Sequence, residues 1–322
     1  MRSQVVNPMV NLIRNENMKI YRRSRTWVMM VLLVIVIALV AIVMVTHQPA
    51  PGSNWKQNMI VQTDQLQQEI AHTRHMPARE IARLQAKIKV NQYDIVHNMN
   101  PSQTTGWGFT ATAEHIAPVL IAFILVVAGD SVASEFSSGT IKMLLTQPAT
   151  RAHILLAKYL ALLMYSLFAT IFMFVCSVLL GWIFFGIAGA GSPEVYLDAH
   201  QTIQQMSVLS YVLMQYGFLW IQIVMTATIA FMISAIFRSS ALAITISLLA
   251  FLIGSTVVSA LSSYSWVKYI LFANTDLSQF VVNGPSIQGL TLGFSISILV
   301  AYFIVMNILA WVFFVKRDVA YT

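Results

Sequence analysis

The sequence predicts an all-α membrane protein with six transmembrane helices, and two observations support this class. Hydrophobic residues make up 57% of the chain and charged residues only 10%, whereas a typical soluble domain has about 25% charged residues. The chain also contains six apolar runs long enough to cross a bilayer, which takes about 20 residues. We therefore expect residues 1–322 to form a single polytopic transmembrane domain.

The first run, 27–46, has no charged residue and follows a basic segment. It is longer than the core of a signal peptide, which has about 7–15 residues, and no small-x-small cleavage pattern follows it. We therefore interpret it as a retained first span. The other five spans are predicted over 111–133, 154–187, 206–237, 241–260 and 290–315. The third and fourth are longer than a bilayer requires, so they should tilt or project beyond it.

Lysine and arginine predict the orientation of the spans. If the N-terminus is cytoplasmic, twelve of these residues lie in cytoplasmic segments and only Lys268 lies in the short outer loops. Six more lie in 47–110, a segment long enough to be translocated with little regard to charge. We therefore expect a multi-pass protein of the cell membrane with both termini in the cytoplasm. Its net charge of +7 suits anionic membrane lipids, and we expect no nucleic-acid partner.

Three segments outside the spans are predicted to have structure of their own. Residues 8–25 alternate apolar and basic residues at helical spacing, which favours an amphipathic elbow helix in the headgroup plane. Residues 47–110 form a predicted extracellular helical insertion, with two helices in 59–98 broken near 75–77. Residues 262–289 are apolar enough to form an outer re-entrant segment.

The segment 134–153 is the most informative part of the sequence. It is basic, which indicates the cytoplasmic side, yet its middle, 137–146, is apolar. This stretch is too short to cross a bilayer, which takes about 20 residues. We therefore predict an amphipathic helix at the cytoplasmic surface that a soluble partner covers. A simple amphipathic reversal between two spans is the alternative.

Familiar catalytic motifs are absent from the sequence. There is no GxxxxGK[ST], HExxH or GxSxG pattern, so we expect no catalysis by this chain and no cofactor in it. His72 and His75 cannot complete a metal site by themselves. Cys176 lies in an apolar run and is interpreted as a packed side chain. Asp130, near the end of a span, is interpreted as an interface anchor.

The cores of the predicted spans carry no Asp, Glu, Lys or Arg. A carrier driven by protons or sodium usually needs a switchable charge near the middle of the membrane. Energy for uphill transport should therefore enter from outside the bilayer, and the apolar helix of 134–153 is the expected point of entry.

EFSSGTIKMLLTQPATRAHILLAKYL at 135–160 is similar to the loop between the second and third spans of type-2 ABC transporter permeases (the ABC-2 type), especially of the bacitracin- and lantibiotic-exporter subfamily. Similar stretches are the elbow-like NEN-K-Y-RR-R-TW at 15–27, FANTDLSQF at 272–280 and FFVKRDV at 313–319. The resemblance covers essentially the whole chain, and these stretches occur in the family's order.

The resemblance implies a non-catalytic permease subunit of an ATP-driven exporter. Its partners would be two copies of a cytoplasmic ABC ATPase, which hold ATP and magnesium, and a second permease subunit, identical or homologous. The substrate would be a peptide antibiotic, a lipid-like compound or another amphipathic molecule, and antibiotic resistance is one implied role. The residues implied in coupling to the ATPase are Glu135, Gly139, Thr140, Ile141, Leu144, Leu145 and Arg151. Arg151 and Lys158 would face headgroups or the ATPase.

Two other classes of function fit the same topology. A membrane sensor or scaffold subunit that binds an ATPase without transporting would have the same six spans. A membrane enzyme would need convergent polar residues in the outer half of the spans, where the sequence offers only Glu114, His115 and scattered serines.

Overall fold

The computed structural model describes residues 8–48, 54–72, 76, 78–100, 105–139, 150–198, 202–262, 264–282, 284–285, 287 and 289–316. Within these ranges, six helical stretches are long and apolar enough to cross a membrane. They are Ser24–Thr46, Gly106–Ser137, Arg151–Phe185, Val208–Ile236, Ser240–Ala260 and Leu292–Val315. The predicted class, an all-α membrane protein, is confirmed at this level.

The described part of the chain consists mainly of α-helices, with two short strands. The helices are α1 (Pro8–Tyr21), α2 (Ser24–Thr46), α3 (Trp55–His72), α4 (Ala78–His97), α5 (Gly106–Ala113), α6 (Ala117–Ser137), α7 (Arg151–Phe185), α8 (Val208–Ile236), α9 (Ser240–Ala260), α10 (Leu271–Asn274) and α11 (Leu292–Val315). Short 3₁₀ turns lie at Glu114–Ile116, Ser265–Tyr269 and Ser278–Phe280. The strands are β1 (Pro193–Leu197) and β2 (Ile203–Ser207).

Serine or threonine side chains set the starts of most of the spanning helices. The hydroxyls of Thr150, Ser207, Ser239 and Thr291 each accept a hydrogen bond from the backbone N–H three residues later. Such caps satisfy backbone donors that have no partner inside the helix. Thr105 caps α5 in the same way, so the second span begins at Gly106 and the predicted start at residue 111 is too late.

The strands β1 and β2 form an antiparallel hairpin that the sequence did not predict. Pro193 pairs with Ser207 and Leu197 pairs with Ile203. The hairpin occupies the connection between α7 and α8, and it moves the start of the fourth span from the predicted residue 206 to Val208. Leu197 is its fully buried side chain.

The second and fourth spans form the centre of the bundle. In their apolar windows 67% and 61% of the residues are buried, against 17% for α9 and 22% for α11. Gly106 and Gly181 let α5 and α7 approach closely, since a Cβ atom on Gly181 would lie 2.5 Å from the carbonyl oxygen of Gly106. Gly181 therefore serves packing within the chain.

The predicted re-entrant segment 262–289 consists, where it is described, of short helical turns packed beside α11. Asn274 is fully buried, and its side-chain nitrogen donates to the carbonyl oxygens of Lys268 and Ile270, 2.8 Å away in both cases. Its side-chain oxygen accepts a hydrogen bond of 2.6 Å from Ser295. This amide holds the turns against the start of the sixth span.

The bundle has two distinct ends. At one end, which we call the charged end, lie α1, the first turns of α2 and α7, and the last turns of α6 and α11. The rings of Phe136 on α6 and Phe314 on α11 pack edge to face. Arg151 Nη1, at the start of α7, lies 3.4 Å from the carbonyl oxygen of Val315 at the end of α11. At the other end, the hairpin end, Gln205 of β2 donates to the Tyr93 hydroxyl of α4 at 2.9 Å.

Candidate functional site

Four charged side chains at the charged end form a connected group, which we call the charge tetrad: Glu16, Lys19, Glu135 and Lys158. Lys158 Nζ lies 2.5 Å from Glu135 Oε1 and 2.8 Å from Glu16 Oε2. Lys19 Nζ lies 2.6 Å from Glu16 Oε1 and 3.1 Å from Glu135 Oε1. The tetrad thus joins α1, α6 and α7.

Three of the four side chains in the charge tetrad are largely buried, so their charges depend on one another. The side chain of Lys158 is 2% exposed, and Glu16 and Glu135 are 13% and 10% exposed. Burial alone would raise the pKa of Glu16, but Lys158 and Lys19 outweigh it and hold that pKa below its usual value. Burial would also lower the pKa of Lys19, yet the two glutamates raise it. Glu16 and Lys19 are therefore held in their charged forms.

A second ion-pair group ties the start of α2 to α6. Arg23 and Arg25 both donate to the same carboxylate oxygen of Asp130, and Asp130 is only 6% exposed. Arg23 also contacts the Ser134 hydroxyl at 3.5 Å. Asp130, predicted to be an interface anchor near the end of a span, is therefore an ion-pair partner within the protein.

The surroundings of Lys158 also differ from those expected from the sequence. The sequence suggested that it faces headgroups or a partner, but it is buried between two carboxylates. It lies beyond the first turn of α7, where a charge needs a partner because desolvation is costly. At the charged end, the charges of α6 and α7 are therefore balanced by partners within the chain.

The residues predicted to couple to an ATPase divide into two sets. Glu135 belongs to the charge tetrad, and Arg151 starts α7 with its contact to Val315. Gly139 follows the end of α6 with a φ of 70°, a conformation that glycine adopts cheaply and that ends helices. The remaining predicted residues lie outside the described part of the chain: Thr140, Ile141, Leu144 and Leu145.

The charge tetrad links the two helices between which residues 140–149 lie in the sequence. Glu135 is near the end of α6 and Lys158 is two turns into α7, and the tetrad joins both residues to α1. The ion pairs therefore connect the last turn of α6 and the beginning of α7 to α1. Among the described residues, no three His, Cys, Asp or Glu side chains lie together as metal ligands.

A separate feature lies at the hairpin end, where α4 packs against β1. Asp94 of α4 is 6% exposed, and burial raises its pKa from the ordinary value of 3.8 to about 6, although His97 opposes this. Burial also raises the pKa of Glu194 on β1, and the negative charge of Asp94 adds to that effect. The negative charge of Asp94 therefore disfavours the charged form of Glu194.

This arrangement predicts that the contact between α4 and β1 depends on pH. Because the folded protein raises the pKa of Asp94, the contact is strongest at low pH and weakens as pH rises from about 4 to about 6. We expect amide hydrogen exchange in α4 and β1, corrected for intrinsic rates, to be faster at pH 7 than at pH 5. Asp94→Asn should remove most of the difference, and Asp64→Asn at an exposed position of α3 should not. An unchanged pH difference in Asp94→Asn would contradict this assignment.

Six apolar helices with paired charges at their ends define a multi-pass membrane protein. Residues 83–320 match the family described as "Protein of unknown function (DUF2705)", and the chain belongs to this family. It is 37% identical over 320 residues to the "Uncharacterized protein YhcI" of Bacillus subtilis (strain 168), covering 97% of this chain and 100% of YhcI. It is also 29% identical over 215 residues to the "Uncharacterized membrane protein YdbK" of the same organism, covering 66% of this chain and 82% of YdbK.

Proposed function

We propose that this protein is the transmembrane permease subunit of an ATP-driven exporter of the ABC-2 type. It pairs with a second permease, identical or homologous, and with two cytoplasmic ABC ATPases that hold ATP and magnesium. The observation that carries the proposal is the charge tetrad, which joins α1 to both helices flanking the segment 140–149. In this proposal, the coupling helix is the one predicted over 137–146, of which 140–146 lie outside the described residues, and α1 is the elbow helix.

The tetrad supports this function because coupling requires that force applied to a short surface segment reach the spans. Lys158 bonds to carboxylates on α6 and on α1, and the Asp130 pairs add α2 to the same unit. When ATP brings the two ATPases together, a coupling helix lodged in each is carried inward. The joined ends of α1, α2, α6 and α7 then tilt as one body, and a pathway between the two permeases opens outward.

The sidedness follows from the same residues. Lysine and arginine concentrate on the cytoplasmic side of membrane proteins, and the charged end holds most of the basic residues near the spans. The charged end and both termini therefore face the cytoplasm of the cell membrane. The hairpin end, with α3, α4 and the β-hairpin, is the extracellular insertion and outer loop.

The outer helices suit a permease pair and an amphipathic substrate. Only 17% of the apolar window of α9 and 22% of that of α11 are buried. Their remaining faces are apolar and available to lipid or to the second permease. A mainly apolar pathway fits a peptide antibiotic, a lipid-like compound or another amphipathic molecule, the substrates expected from the resemblance.

The function can be tested by purifying the tagged chain from the membranes of its own host. We expect a protein with a GxxxxGK[ST] loop to co-purify and the complex to hydrolyse ATP when magnesium is present. The chain freed from that partner should hydrolyse none, and a Lys→Ala change in the partner's phosphate loop should abolish the activity of the complex. ATP hydrolysis by the isolated chain would overturn the proposal. A complex that hydrolyses ATP but moves no compound in sealed vesicles would favour a sensor or scaffold subunit.

A further inference from the structure

The charged end contains a recess between α1, α2, α6 and α7. Its enclosed volume is about 40 Å³, and its polar lining includes Lys19, Arg23, Arg25, Glu135 and Lys158. A small number of convergent polar groups is typical of ligand sites. The enclosed part therefore has room and lining for one small polar group, and the rest of a larger ligand would lie outside it.

Two buried atoms in the lining residues have unused hydrogen-bonding capacity. Glu135 is 8% exposed, and its Oε2 atom has no hydrogen-bond partner among the residues that the structure describes. Its other oxygen, Oε1, accepts from Lys158 and Lys19. The Nε atom of Arg25 is likewise buried without a partner in the described part of the chain. Buried polar atoms normally have partners, so the recess calls for a ligand that both donates and accepts.

The charges around the recess specify the net charge of that ligand. Four basic and two acidic side chains line it, and Asp130 lies behind the two arginines as their shared partner. One positive charge is therefore in excess. The side chains of Lys19, Arg23 and Arg25 are 47%, 41% and 38% exposed, so they can reach a ligand as well as their present partners.

The position of the recess indicates where the ligand comes from. It lies beside the first turns of α2, a helix whose outer face is apolar and exposed at Val28, Val31, Leu32 and Ile35. Trp27, which is 51% exposed, lies at the same level, and tryptophan is enriched at the interface between membrane and water. A molecule with a charged group in the recess and acyl chains along α2 would therefore be a membrane lipid.

We propose that the recess binds the headgroup of one phosphatidylglycerol molecule. The phosphate accepts hydrogen bonds from Arg25 and Arg23, a glycerol hydroxyl donates to Glu135 Oε2, and the acyl chains lie on the outer face of α2. The single negative charge of this lipid balances the single excess positive charge of the recess. Charge-assisted hydrogen bonds of guanidinium to phosphate are among the stronger ones in proteins. This site requires only that the chain is embedded in a membrane, and it does not depend on the proposed transport.

The proposal can be tested on the whole protein in phosphatidylcholine nanodiscs that contain a small fraction of a second lipid. Lipid retained after exchange into detergent is counted by mass spectrometry. We expect about one phosphatidylglycerol per chain, retained about tenfold better than phosphatidylmethanol, which has the same charge but no hydroxyl. Arg25→Lys keeps the charge beside Asp130 but removes Nε, so it should lower the retention of phosphatidylglycerol several-fold. Arg22→Lys, at an exposed residue outside the recess lining, is the matched control and should not.

Three other outcomes would contradict the proposal. Equal retention of phosphatidylglycerol, phosphatidylmethanol and phosphatidylcholine would mean that water alone occupies the recess. Stronger retention of phosphatidylethanolamine would mean that an ammonium group meets Glu135 and that the charge argument is wrong. Displacement of the lipid by millimolar glycerol phosphate would identify a soluble phosphate ligand. If Arg25→Lys does not fold, the retention of the different lipids by the unmodified protein still tests the proposal.

Discussion

Replacing Lys158 with methionine is expected to lower the stability of the folded protein by about 3–5 kcal/mol, the usual cost of removing one partner from a buried ion pair. The side chain of Lys158 is 2% exposed and bonds to two carboxylates, Glu135 and Glu16. Methionine fills similar space without charge. The variant therefore leaves two carboxylates in a buried site with only Lys19 to balance them.

The measurement is the midpoint of thermal unfolding in detergent, followed by the loss of the monodisperse peak in gel filtration. Lys158→Met should lower the midpoint by roughly 6–10 °C, taking about 2 °C per kcal/mol. Lys19→Met is the matched control within the same tetrad. Because its side chain is 47% exposed, we expect a loss of about 1 kcal/mol or less.

A second variant separates the charge from the volume of the side chain. Adding Glu135→Gln and Glu16→Gln to Lys158→Met removes the uncompensated carboxylates, so part of the lost stability should return. If Lys158→Met and Lys19→Met lower the midpoint equally, or if the added changes restore nothing, the tetrad is not the connection that the structure indicates.

The spans could be predicted from the sequence because lipid requires long apolar runs and helices satisfy their own backbone. The starts of the spans were predicted less well. The second span was predicted to start at residue 111, yet its helix starts at Gly106 and is capped by Thr105. Gly106 is needed there because α5 meets α7 closely, a contact between distant parts of the chain that a local pattern does not reveal.

The charge tetrad could not be predicted because its members are far apart in the sequence. Glu16 and Lys158 are 142 residues apart, and Lys19 and Glu135 are 116 residues apart. One sequence shows which residues are charged but not which of them pair. A signal was present, since charges that interrupt an apolar span usually have partners. That signal identifies Lys158, which lies inside the predicted span 154–187, as a candidate without naming its partners.

The β-hairpin was missed for a different reason. Its strands are five residues long, and the second contains two neighbouring glutamines, so alternation between apolar and polar residues is too brief to distinguish it from a loop. The end of β2 also continues directly into α8, and Ser207 belongs to both as last strand residue and helix cap.

The second large effect is expected at the segment 140–149. Leu144 and Leu145 are apolar and lie between two spans in a basic segment, and in the proposed function at least one of them fills a pocket on the ATPase. Burying a leucine contributes roughly 1.5–3 kcal/mol, so replacing both with serine should weaken ATPase binding at least about tenfold. The spans and the charge tetrad are unchanged in this variant, and its thermal midpoint should stay the same.

The most direct measurement of the central claim is therefore the amount of ATPase that co-purifies with the Leu144→Ser/Leu145→Ser protein, together with the ATP hydrolysis of that preparation. Gln147→Ser, a change at a polar position of the same segment, is the matched control. We expect the control to retain the ATPase and its activity, and the double variant to lose at least nine-tenths of both while remaining folded. A folded double variant that binds its ATPase and hydrolyses ATP at the unmodified level would show that 140–149 does not couple this protein to an ATPase.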